Sequence, residues 1–128
     1  MKTLNDYVKE SFDISTEKGW HETPRSALEI HALIHSEIGE ATEEVRNDTP
    51  PVYQVQHELN SAAVKIVKPE DHEWQILVKP EGQQIELVDC LIRIFDYFGE
   101  KGWNLEKAYN LKTTYNKTRP HRHGGKKY

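Results

Sequence analysis

The 128 residues carry 17 Lys and Arg against 21 Asp and Glu, a hydrophobic content of 36%, three Trp, three Phe and one cysteine. That aromatic content argues against a disordered chain, and the single cysteine excludes both a disulfide framework and a multi-cysteine zinc site within one chain. No apolar run reaches the length of a transmembrane helix, and the first residues, with early acids and no apolar stretch, do not read as a secretory signal.

The length suits one domain, residues 1–128, with a real core, and the expected location is a reducing cytoplasm. Charge is unevenly placed. Residues 112–128 form a basic C-terminal tail of six Lys or Arg and no acid, leaving a body with 11 basic and 21 acidic residues. An acidic body with a basic tail suits a ligand that needs metal-bridged phosphate and direct phosphate contact. The tail alone could equally touch nucleic acid.

In chain order, a short helix is predicted over residues 4–18, stopping near Gly19. Thr23 and Pro24 read as N-cap and first turn of a second helix that runs to about Asn47, where Thr49-Pro50-Pro51 ends it. Residues 52–80 change character. "VYQVQ", "AAVKIV" and "EWQILV" are short, partly alternating and rich in β-branched and aromatic residues, so they predict a small β insert of two or three strands. A turn is expected at residues 68–71. A third helix follows Gly82 and ends between Gly99 and Gly102. Asn104 caps a fourth, over residues 105–117, and Pro120 with Gly124-Gly125 marks a loop-like end.

Two carboxylate pairs stand out, Glu37 with Glu40 and Glu86 with Asp89. An i,i+3 spacing puts both members on one helix face. On the second helix, Ile30, Ile34, Ile38, Ala41 and Val45 fall within about 80° of one another, a buried stripe with Glu37, Glu40 and Glu44 along its edge. On the third, Ile85, Val88, Ile92 and Phe95 form the stripe, edged by Glu86, Asp89, Arg93 and Asp96. The acids are thus expected where the core ends. Any one of them alone reads as a solvated helix face. As two matched pairs, with no base between Glu37 and Glu44, they form a pocket with little cationic charge of its own, and a hard divalent cation such as Mg²⁺ is the simplest compensation. Leu87, Leu91, Ile94 and Phe98 widen the apolar surface of the third helix to about half its circumference, which calls for further elements or a partner subunit to cover it.

These residues resemble the MazG-like branch of the all-α nucleoside triphosphate pyrophosphohydrolases. The resemblance rests on Glu37-Ile-Gly-Glu40 and Glu86-Leu-Val-Asp89, on "HSEIGEATEEVRN" and "ELVDCLIRIFDYFGEKGWNLEKA" around them, and on the tail "LKTTYNKTRPHRHGGKK". It implies an all-α, four- to five-helix MazG-like bundle with a small β insert at about residues 52–80. One departure is the 45 residues between Glu40 and Glu86, a separation longer than in compact members, and it puts transfer of a substrate from relatives in doubt.

The resemblance implies Mg²⁺-dependent hydrolysis of an NTP or dNTP to the monophosphate and pyrophosphate, a nucleotide-pool-cleaning activity. Glu37, Glu40, Glu86 and Asp89 would hold Mg²⁺, with Mn²⁺ as a substitute, and Glu40 is the candidate base. Lys112, Tyr115, Asn116, Arg119 and Lys126 are the candidate substrate-binding residues. A homodimer or homotetramer is implied, with no membrane partner, and nucleic acid is not the expected partner. The alternative is a non-catalytic nucleotide- or nucleic-acid-binding module that uses the basic tail. His31 and His35 have zinc-ligand spacing, but no third ligand follows in a recognised pattern, so surface or half-buried histidines are the expectation. Trp20 and Trp103 are expected to pack near helix ends.

Overall fold

Four helices and one antiparallel hairpin occur among the described residues, 1–57 and 62–121 of the computed structural model. The order is α1 (Leu4–Glu17), α2 (Ala27–Arg46), β1 (Gln54–His57), β2 (Val64–Val67), α3 (Gln83–Lys101) and α4 (Leu105–Thr118). This is the all-α class with a small β insert that the sequence predicts. No helix among the described residues is long and apolar enough to cross a membrane.

The chain forms two compact units, Met1–Thr23 with Phe95–Tyr128, and Pro24–Ile94. The second contains α2, the hairpin and the start of α3. Here α2 begins three residues later than predicted. Its N-cap is Ser26, whose hydroxyl accepts from the Glu29 backbone N–H at 3.2 Å, so Thr23 is not the cap. Serine satisfies one of the orphan N–H groups at the helix start, which fixes the boundary there. β1 and β2 pair with Gln54 opposite Val67 and His57 opposite Val64. The predicted turn is present, with Asp71 N–H donating to Lys68 O and Lys68 N–H to Asp71 Oδ2, both at 2.9 Å.

Of the two forms expected for the insert, the two-stranded hairpin is the one present, and "EWQILV" does not add a third strand. Those residues make turns instead, because the side chain of buried Gln54 takes the backbone groups a strand partner would need. Its Nε2 donates to Gln75 O at 2.5 Å and Val78 O at 3.0 Å, while its Oε1 accepts from Gln75 N–H at 3.0 Å.

The path into α3 is set by Gly82, at φ +116°, where a Cβ would lie 2.3 Å from Pro51 O. That conformation and that approach both require glycine. Gln84 N–H then donates to Pro51 O at 3.0 Å, and Tyr53 and Glu81 exchange backbone hydrogen bonds at 2.8–2.9 Å. Glu44 anchors the other side of this corner. Its carboxylate accepts from Thr49 Oγ1 and from Tyr53 OH, the latter at 2.9 Å to Oε2. The expected apolar stripes are only partly covered: Ile30 and Ala41 are buried, but Ile38, Val45 and Val88 are exposed.

In the first unit, α1 carries a capping box between Thr3 and Asp6 and stops before Gly19, at φ +83°. Asn5 Oδ1 accepts from the backbone N–H groups of Leu105 and Glu106, at 3.1 and 3.2 Å, so α1 helps to cap α4. Tyr7 stacks on Phe95 at 6.0 Å, and Trp103 meets Tyr97 and Phe98 edge-on at 5.4 and 5.5 Å, which is the packing role expected of it. Buried Ser15 donates to Asp96, and His21 Nε2 lies 3.0 Å from Ser15 Oγ and 2.8 Å from Asp96 Oδ1. Hydroxyl and imidazole converge on the same carboxylate oxygen, so this trio fastens the turn after α1 to α3. It is not the serial relay of a nucleophilic triad, in which the imidazole stands between hydroxyl and carboxylate.

Candidate metal centre

The i,i+3 spacing of Glu37 and Glu40 on α2 puts both on one face, and Glu86 comes from the first turn of α3. One carboxylate oxygen from each of these three residues lies within 4.8 Å of the others. The structure therefore joins residues some fifty positions apart into a single cluster. Asp89 stands outside that set, yet its carboxyl sits close enough to feel Glu40 as a like charge.

Two of the three acids are buried, Glu37 at 6% and Glu86 at 8% exposure, while Glu40 is exposed. This corrects the expectation that the acids mark the border of the core. Each buried acid has a specific reason to be tolerated. Arg93 Nε donates to Glu37 Oε1 at 2.7 Å, a charge-assisted bond. Glu86 is pushed up to about 7, first by burial, then by its hydrogen bond with Glu40 and by the charges of Glu40, Asp89 and Glu37. Glu86 thus holds its proton to higher pH than an ordinary carboxyl, and that eases its place beside Glu40. Asp89 is raised as well, by burial and by Glu40, with Lys79 and Arg93 pulling the other way.

Arg93 and Lys79 are charged neighbours of these acids whose pairing sequence reasoning did not find. Arg93 was visible on the acidic edge of α3, but its pairing with Glu37 spans 56 residues and no local pattern encodes it. The pocket does have a cation of its own, contrary to the expectation of little cationic charge there. Glu44, grouped with Glu37 and Glu40 by periodicity, is instead committed to Thr49 and Tyr53.

The donor set suits a hard divalent cation. All three ligands are carboxylates, which Mg²⁺ and Mn²⁺ prefer, and Glu86 lacks a full counter-charge. His31 and His35 do not belong to the cluster, and both are exposed.

Among the described residues, the candidate substrate contacts lie on the last turns of α4 and at its C-cap, in line with the helix predicted over residues 105–117. Lys112, Tyr115 and Asn116 are helical and Arg119 is the C-cap. Lys112 Nζ and Arg119 Cζ lie 5.3 and 5.9 Å from the Tyr115 ring centroid. Lys126 falls outside the described residues. Comparison with family profiles, with characterised proteins and with solved structures finds no match to this chain.

Proposed function

We propose that this protein is a divalent-cation-dependent nucleoside triphosphate pyrophosphohydrolase of the MazG-like kind, cleaving an NTP or dNTP to the monophosphate and pyrophosphate. The observation that carries the reading is the convergence of Glu37, Glu40 and Glu86, two of them buried, with Glu86 still short of a counter-charge. Arg93 offsets the charge of Glu37 only, and a divalent cation would offset the like charges that remain between Glu40 and Glu86.

Glu37, Glu40 and Glu86 hold the cation in this reading, with Asp89 as a fourth ligand. When bound, Mg²⁺ or Mn²⁺ supplies neutralisation of triphosphate oxygens and acidifies water. The chain's own groups do the rest. Glu86 gives up its proton as the site loads. Glu40, the exposed member, orients the attacking water and accepts its proton. Lys112, Asn116, Arg119 and Lys126 bind phosphate oxygens and Tyr115 packs on the base, with Arg presenting a planar fork and Lys a point charge. The exposed apolar residues of α3, Leu87, Val88 and Leu91, support a homodimer or homotetramer.

The test is turnover of a nucleotide panel with Mg²⁺ or with EDTA. Alanine at Glu37, Glu40 or Glu86 should abolish turnover and metal binding together. A second reading, a non-catalytic nucleotide- or nucleic-acid-binding module, draws on the two cations around Tyr115. In that case affinity for single-stranded nucleic acid falls steeply with salt and survives alanine at Glu37.

A further inference from the structure

Among the described residues, Arg93 is the cation that pairs with the carboxylate cluster, at Glu37, and its effect on the cluster can run in either of two directions. As a counter-ion it would compete with a metal for Glu37. As a support it would hold Glu37 in the geometry a metal needs. The contact distinguishes them. The donor is Nε, and it engages a single oxygen, Oε1, at 2.7 Å. The guanidinium is half-buried and Glu37 nearly fully buried, so neither can relocate without leaving a buried charge unpaired. Arg93 also follows Glu86 and Asp89 by seven and four residues, so α3 presents all three toward one side.

Resting on the metal-site reading above, we propose that Arg93 is a positioning residue: it fixes Oε1 of Glu37 and leaves Oε2 for the cation. Supporting hydrogen bonds of this kind orient ligands, and their loss typically lowers metal affinity by about 10–100-fold. The two roles predict opposite signs. Removal of a competing positive charge tightens cation binding, whereas removal of a support weakens it.

The experiment is Mn²⁺ binding by calorimetry to the full chain without nucleotide, for wild type, Arg93→Gln and Arg93→Lys. The expected result is at least tenfold weaker binding for Arg93→Gln and no rescue by Arg93→Lys, which keeps the charge but lacks the planar Nε–H. Equal or tighter binding by Arg93→Gln, or full rescue by Arg93→Lys, overturns the proposal and leaves the metal site standing. No Mn²⁺ binding by wild type overturns the metal site itself. A second measurement needs no substitution. The NMR cross-peak of the Arg93 Nε–H should persist, shielded from solvent exchange, when Mg²⁺ is added. Its loss on Mg²⁺ addition would mean competition and would likewise overturn the proposal.

Discussion

A carboxylate oxygen of Glu86 lies within 4.8 Å of one from Glu40, and burial beside that acid pushes Glu86 up to about 7, so that it keeps a proton. A cation that takes both oxygens must displace this proton. Metal affinity should therefore be level above about pH 7 and fall about tenfold per pH unit below it. Calorimetry in two buffers of different ionisation enthalpy checks this, because below pH 7 close to one proton should be released for each cation bound.

The same relationship makes Glu86 a burden on the metal-free fold. Its folded value lies above the ordinary 4.5, so the native state holds the proton more tightly than the unfolded chain. That stabilising contribution is complete below about pH 4.5 and is lost as pH rises through about 7. Glu86→Gln should therefore raise metal-free stability at pH 8 by about 1–3 kcal/mol, with the gain vanishing towards pH 4.5. Urea denaturation in EDTA at both pH values measures it. The same variant should no longer be stabilised by Mg²⁺.

Much of this fold is legible in the sequence where local chemistry decides it. Asn104 and Gly102 bracket the start of α4, Gly82 precedes α3, and the turn at residues 68–71 sits where Pro and Asp place it. The misses share a cause. "EWQILV" has the composition of a strand, but a buried amide from residue 54 claims its backbone. Periodicity finds the acidic edges of α2 and α3 but not their burial. Burial depends on the Arg93–Glu37 bond and on the proton that Glu86 keeps beside Glu40, both set by contacts between distant positions. For the same reason Glu44 resembles a site residue in sequence and is a brace in the structure.

Gly82→Ala should disrupt the corner that delivers Glu86. A Cβ there would lie 2.3 Å from Pro51 O at a backbone angle that side chains rarely adopt. The expected loss is about 3 kcal/mol or more, read as a fall in thermal midpoint, with metal binding weakened in the fraction that still folds.

Asp96→Ala should destabilise the other unit without touching the carboxylate cluster. It removes the acceptor shared by buried Ser15 and by His21, for a loss of about 1–3 kcal/mol. Asp96→Asn keeps an acceptor oxygen and should lose less. The shift should show in the urea midpoint with an unchanged slope.

In the proposed function, the Glu37, Glu40 and Glu86 cluster serves cleavage between the α and β phosphorus atoms. Phosphorus NMR of a panel of canonical and modified NTPs and dNTPs, incubated with the protein and Mg²⁺ or Mn²⁺, tests it most directly. The expected result is metal-dependent appearance of monophosphate and pyrophosphate in equal amounts, abolished by EDTA and by Glu40→Ala. Release of orthophosphate, or no turnover of any nucleotide with either metal, would contradict it.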